Sequence, residues 1–278
     1  MIDLHTHSRY SDGSDSPTDI IHLAHQAGCS YVALTDHDRL DGIEEATNEA
    51  AKTGIGFIPG VEISCIFDSG TLHLLAYFLN PTEGPLQDRL IGMQEARSKR
   101  NREMAAKLQQ SGIPISWDEL MEEAGGPNLG RPHFAAVMVR KGIVSSIQEA
   151  FDTYLAKGKP LYVPKVQITT PEAIRLTRES GAVPVIAHPS TLGLTPTKLE
   201  SYLREMKSFG LAGVESYYAR YSRQERAGLA SIAESVGLVA TGGSDYHGSY
   251  KVGLNIGTGE GDLDVPDSVV EQLRSRII

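Results

Sequence analysis

Ile2-Asp3-Leu4-His5-Thr6-His7-Ser8 opens the chain with a short apolar run ending in two histidines one residue apart. Side chains on an extended strand alternate with a period of two, so His5 and His7 point the same way. Two imidazoles on one face can grip a cation, and nearby carboxylates can complete the shell. The pattern continues through Asp12, Thr35-Asp36-His37-Asp38, Glu62, His73, Ala187-His188-Pro189 and Gly243-Ser244-Asp245-Tyr246-His247. A lone histidine is ordinarily a polar or core residue. Here six of nine histidines stand with three acids, nearly all where apolar runs end, and that points to a multinuclear metal site.

Outward from this start, seven segments read as strands: Ile2–His5, Tyr31–Thr35, Phe57–Glu62, Leu72–Phe78, Val183–Ala187, Ala212–Ser216 and Leu238–Thr241. Most of the intervals read as helices. Ser16-Pro17-Thr18-Asp19 is a helix start that Gly28 stops, and Thr170-Pro171-Glu172 with Gly181 brackets another. Further helices run from Thr195-Pro196 to Gly210 and from Ser222 to Val236. Such alternation predicts parallel strands joined by helical crossovers, with the site at the strands' carboxyl ends. His73 breaks this rule by lying near the start of its strand. Asp68-Ser69-Gly70 resembles a hairpin tip, so this strand is expected to fold back antiparallel and set His73 across from Glu62.

Between residues 81 and 166 the alternation stops. One long helix over Pro85–Ser111 and shorter ones at Trp117–Glu123, Arg131–Lys141 and Ser145–Ala156 suggest a helical insertion over the strand ends. The expected division is a barrel from residues 1–80 and 167–278, with residues 81–166 as a substrate cap. Gly130-Arg131-Pro132-His133 opens a helix inside the insertion, where an Arg, a His and free backbone N–H groups can clamp a phosphate. A surface Arg beside a helix-starting His is the plainer reading. Arg89, Arg97, Lys99, Arg100, Arg102 and Lys107 make the long helix locally basic. That run can guide RNA, although a solvated helix face is the commoner outcome.

With 278 residues, 40% hydrophobic and 22% charged, the composition is that of a globular domain with a sizeable core. The net charge of -9 argues against a broad basic surface for nucleic acid, but not against a nucleotide held by metals in a cleft. No apolar run approaches a membrane span, no signal peptide is visible, and Cys29 and Cys65 are isolated. The expected location is the cytoplasm, and nothing marks a protein partner.

Taken together, the histidine-rich blocks resemble the signature of the PHP (polymerase and histidinol phosphatase) superfamily, in order from residue 3 to 247. With the insertion, the chain is most similar to small phosphoesterases acting on nucleoside 3′,5′-bisphosphates, 5′-phosphorylated RNA ends or AMP. The resemblance implies an α/β fold, a distorted (β/α)7 barrel, with a helical insertion domain capping a trinuclear metal centre. One metal would take His5, His7, Glu62 and Asp245; a second would share Glu62 and add His73 and His188. A third would take Asp12, His37 and His247. Asp12 stands where some members have a histidine. Related phosphatases also carry an Arg-Pro-His, which implies that Arg131 and His133 grip the substrate phosphate.

Three divalent ions, Mn²⁺, Fe²⁺ or Zn²⁺, suit such a ligand set, which lacks thiolate. The implied chemistry is attack of a metal-bridging hydroxide on phosphorus, with no protein nucleophile. Asp36 or Asp38, flanking His37, can orient a ligand from outside the cluster. Three other functions remain open: a histidinol-phosphate-type phosphatase, an amidohydrolase acting on a C–N bond, and a non-catalytic PHP module. The amidohydrolase reading wants a metal-bridging lysine at a middle strand's end, and none is evident.

Overall fold

In a computed structural model, which describes residues 1–68, 70–125 and 129–277, eight strands form one sheet: β1 (Ile2–Asp3), β2 (Tyr31–Leu34), β3 (Gly56–Ile66), β4 (Leu72–Tyr77), β5 (Ile168–Thr169), β6 (Val183–Ile186), β7 (Gly213–Tyr218) and β8 (Val239–Gly243). Seven follow one another as β1-β2-β3-β4-β6-β7-β8, and the short β5 adds to β3. The seam between β8 and β1 is joined by Leu4 N–H to Gly242 O, Asp245 N–H to His5 O and His7 N–H to Tyr246 O. The sheet is thereby a nearly closed barrel. Gly243 sits at this seam, where a Cβ would lie 2.5 Å from the His5 nitrogen, so only glycine lets the two edges meet.

Neighbours pair in parallel except around β4, which is antiparallel to both β3 and β6. The expected fold-back is present, but its register differs from the one anticipated: Leu75 lies opposite Glu62, and His73 lies opposite Ser64. His73 reaches Glu62 along the diagonal, since residues two apart share a face. Ser69, read as part of the hairpin tip, lies outside the described residues.

The helices are α1 (Pro17–Gln26), α2 (Ile43–Thr53), α3 (Pro85–Gln110), α4 (Trp117–Ala124), α5 (Arg131–Arg140), α6 (Ile147–Ala150), α7 (Thr170–Glu179), α8 (Pro196–Ser208), α9 (Arg223–Val236) and α10 (Ser268–Arg274). Ser16 Oγ accepts from Asp19 N–H while the Asp19 carboxylate accepts from Ser16 N–H. A cap of this kind is worth about 1 kcal/mol. The helix expected over Ser145–Ala156 is shorter and mixed: α6 passes into a π-helical turn, Phe151–Leu155, closed by Ala156 N–H to Phe151 O.

Two compact units make up the chain, Met1–Leu90 with Gln167–Ile278, and Ile91–Val166. In the first, strand alternation separates two apolar clusters. Val32 and Leu34 pack with Ile20, Ile21 and Ala46 of α1 and α2, while Ala33 joins Leu4, Ile58, Tyr77 and Val185. The second unit has its own core around Leu108, Leu120, Phe134, Met138 and Leu155.

Candidate metal centre

Strand ends supply most of the site. His5 and His7 follow β1, His37 follows β2, His188 follows β6, and Asp245 and His247 follow β8; Glu62 and His73 lie within β3 and β4. Asp12 comes from the loop before α1. These nine side chains fall into four overlapping groups whose ligand atoms lie within 4.8 Å of one another. The groups are His7-Asp12-His37-His247, His5-His7-Asp245, His5-Glu62-His188 and His37-Glu62-His73.

Glu62 is the hub. Its Oε2 lies 3.2 Å from His5 Nε2, 3.1 Å from His7 Nε2 and 3.2 Å from His37 Nδ1. Its Oε1 lies 2.8 Å from both His73 Nδ1 and His188 Nε2. Asp245 Oδ1 stands 3.3 Å from His7 Nε2, and Asp12 Oδ1 stands 3.2 Å from His247 Nε2. Four buried atoms at the hub, His5 Nε2, His7 Nε2, His37 Nδ1 and Glu62 Oε2, have no hydrogen-bond partner. Leaving such an atom unpaired costs about 1–3 kcal/mol. Three imidazole nitrogens converging on one carboxylate oxygen fit divalent cations, which would use those lone pairs.

Residues around the cluster fix its orientation. Glu215 Oε1 lies 2.9 Å from His5 Nδ1, so the ring donates there and turns its Nε2 edge to the cluster. The other oxygen, Oε2, accepts from His188 N–H at 2.7 Å. His247 Nδ1 donates to the Asp245 carbonyl at 2.8 Å, which bares Nε2. Asp36 accepts from Ser8 N–H, Ser8 Oγ and Ser11 Oγ, and so orders the loop that carries Asp12. Asp38 instead accepts from the Ser64 N–H and hydroxyl. Two positions of the cluster hold positive φ, His188 at 22° and Asp245 at 54°. Backbone of this kind costs about 1–3 kcal/mol per residue and is characteristic of functional sites.

The charges set the protonation. Burial disfavours the imidazolium of His7, but Asp245, Glu62 and Asp12 outweigh it and raise its pKa to about 9. His5 is raised well above the ordinary value in the same way, with Glu215, Glu62 and Asp245 overcoming burial. Burial lowers His37 to about 3, against the pull of Glu62 and Asp12. Glu62 and Asp245 stay well below the usual carboxylate range despite burial, held there by the surrounding imidazoles.

Three side chains at the cluster were not read as functional from the sequence. Glu215 is an acid inside an apolar strand and is fully buried, a placement that requires a partner. Tyr218 donates its hydroxyl to Asp245 Oδ2 at 2.7 Å. Lys251 reaches the same oxygen at 2.5 Å, and no sequence signal distinguishes it.

In the second unit, Arg131 and His133 are half-buried in the first turn of α5. The Arg131 guanidinium lies over the rings of Phe151 and Tyr162, 5.7 and 5.8 Å from their centroids. His133 Nδ1 accepts from Gly130 N–H at 3.0 Å, which leaves the ring proton on Nε2. The basic run of α3 is not simply a solvated face. Arg100 is buried against Asn101, Arg102 covers Trp117, and Lys107 donates to the Tyr162 carbonyl.

A barrel whose strands and adjoining loops gather nine histidine and acid side chains fits a metal-binding phosphoesterase class, and residues 3–124 match the PHP domain. The chain belongs to the PHP-domain family. Over 278 residues it is 34% identical to a 3′,5′-nucleoside bisphosphate phosphatase of Chromobacterium violaceum, covering all of this chain and 98% of that one. It is also 34% identical over 271 residues to a 5′-3′ exoribonuclease of Haemophilus influenzae, covering 96% of each. Among solved structures, a protein from Bifidobacterium adolescentis described as a metal-dependent phosphoesterase superposes with a TM-score of 0.80 at 29% identity, covering 100% and 96% of the two chains. Another, described as an amidohydrolase from Chromobacterium violaceum and solved with sulfate and no metal, gives 0.79 at 33% identity, covering 100% and 97%. Among the described residues no helix is long and apolar enough to cross a membrane.

Proposed function

We propose that this protein is a metal-dependent phosphoesterase that hydrolyses a nucleotide phosphomonoester, a nucleoside 3′,5′-bisphosphate or the 5′-phosphorylated end of a short RNA. The observation that carries this reading is the convergence of orphaned nitrogens on Glu62. The full-length similarity to a bisphosphate phosphatase and an exoribonuclease supports the substrate class over histidinol phosphate and over a C–N bond.

In this reading His5, His7, Glu62 and Asp245 hold one ion, Glu62, His73 and His188 a second, and Asp12, His37 and His247 a third. Mn²⁺, Fe²⁺ and Zn²⁺ all suit the donors. Bound there, such ions lower the pKa of water and neutralise charge on a phosphoryl group. Glu215 and the Asp245 carbonyl keep His5 and His247 in the tautomers that present Nε2. Asp36 holds the loop that presents Asp12. Arg131 and His133, the latter with its proton on Nε2, have the chemistry of an anion-binding pair.

Phosphate release by Mn²⁺-loaded protein tests the reading, with adenosine 3′,5′-bisphosphate, AMP, a 5′-phosphorylated RNA oligomer and histidinol phosphate as substrates. The expected result is preference for the bisphosphate or RNA, lost in His37→Ala. Preference for histidinol phosphate would replace the substrate class. Release from none, with metal content verified, would remove the phosphoesterase reading.

A further inference from the structure

The two oxygens of Asp245 face different neighbours. Oδ1 turns inward, 3.3 Å from His7 Nε2, 3.4 Å from His247 Nδ1 and 3.6 Å from His5 Nε2. Oδ2 turns away from those imidazoles and is shared by the Tyr218 hydroxyl at 2.7 Å and the Lys251 ammonium at 2.5 Å. Asp245 is almost fully buried, whereas the Lys251 side chain keeps 29% of its surface in solvent. A partly solvated ammonium therefore reaches in from outside to the cluster's edge.

Lys251 lies on a turn between Gly248 and Gly253, both of positive φ. The foot of the turn is tied down by Ser249 N–H to Ser14 Oγ at 2.9 Å. On either side of Lys251, Tyr250 and Val252 are 73% and 88% exposed. Both neighbours of the lysine at the cluster edge therefore face solvent.

We propose that Lys251 is the cationic anchor for the phosphate of the incoming substrate, held on Asp245 Oδ2 until that phosphate arrives. This rests on the phosphoesterase reading of the cluster. Asp245 carries one negative charge. Once Oδ1 is engaged by a divalent cation, less of that charge remains on Oδ2 to hold the ammonium. Tyr218, whose neutral hydroxyl also donates to Oδ2, keeps the carboxylate oriented when the lysine leaves. The released ammonium, on a flexible four-carbon stem with three donors, is suited to a phosphoryl oxygen at the cluster edge. Tyr250 and Val252 then lie beside whatever the phosphate is attached to.

Lys251→Met and Lys251→Arg, loaded with Mn²⁺ alongside the wild type, test this through metal content, hydrolysis of adenosine 3′,5′-bisphosphate, and the rise in Tm caused by inorganic phosphate. Loss of one charge-assisted hydrogen bond to the phosphate should lower kcat/KM of Lys251→Met by about 10- to 100-fold. Its metal content should match the wild type, its phosphate-induced rise in Tm should shrink, and Lys251→Arg should recover part of both. Wild-type kcat/KM and an unchanged phosphate effect in Lys251→Met would overturn the proposal. So would a loss of activity that follows lost metal, since Lys251 would then only support Asp245. If the wild type hydrolyses none of the four substrates, the phosphoesterase reading falls by itself, and the phosphate effect on Tm still decides whether Lys251 binds the anion.

Discussion

The two units handle buried polarity in opposite ways. Among the described residues, every buried side-chain atom without a hydrogen-bond partner belongs to the first unit, and four of the seven lie at the Glu62 hub. The second unit buries a guanidinium too, but hydrogen-bonds it: Arg100 donates to Asn101 Oδ1, and the Asn101 amide donates to the Leu129 carbonyl. One unit is an apolar core with conventionally paired polar groups. The other keeps unpaired donor atoms facing each other, an arrangement that is costly unless a cation completes it.

Glu62→Gln should break that contrast most severely. The amide keeps the shape of the hub but removes the charge shared by five imidazoles. Bound metal should fall, and kcat/KM should drop by on the order of 1000-fold. Metal analysis and steady-state kinetics would check both, and an active, metal-replete variant would contradict the hub. Phe134→Ala asks the opposite question of the second unit. Emptying a fully buried aromatic position should cost about 3–5 kcal/mol of unfolding free energy, read by denaturant titration. The folded fraction should keep its full complement of metal.

The smallest effect is on pH. His7, raised to about 9 from the ordinary 6.5, binds a proton more tightly when folded. Its stabilising contribution is complete below pH 6.5 and disappears as pH rises through about 9. Metal-free protein should therefore lose part of its stability between pH 7 and pH 9. Metal uptake should run the other way, strengthening by roughly tenfold per pH unit for each proton displaced. Calorimetry in buffers of different ionisation enthalpy would count the protons, and release of none would contradict the charged His7.

How much the sequence reveals differs from residue to residue within the first unit. Histidines and acids near strand ends repeat a chemical pattern, so the nine candidates could be named together before any contact was known, and the fold gathers them into four overlapping groups. The helix cap at Ser16 is equally local and equally readable, whereas the helix read as starting at Thr170-Pro171 is capped one residue earlier, by Thr169. Glu215, Tyr218 and Lys251 are another matter, because their roles lie in contacts with His5 and Asp245. The periodicity of β7 says that Glu215 is inward and says nothing about a partner 210 residues away. The register of β4 escaped for the same reason: alternation gives the face, whereas the pairing depends on where the hairpin turns.

The seam between β8 and β1 bears on how the molecule is born. Ser244 N–H donates to Asp3 Oδ1 across 241 residues of sequence, and the same junction brings Asp245 and His247 to His5 and His7. On a ribosome the first strand emerges long before its partner exists, and must wait with its histidines uncommitted. A cation captured early by the leading histidines would lack the trailing acid, so its hold should tighten only when the last strand docks. A metal bound at this junction would work as a clasp on a belt: it would close last and lock the ends that chain entropy would otherwise pull apart.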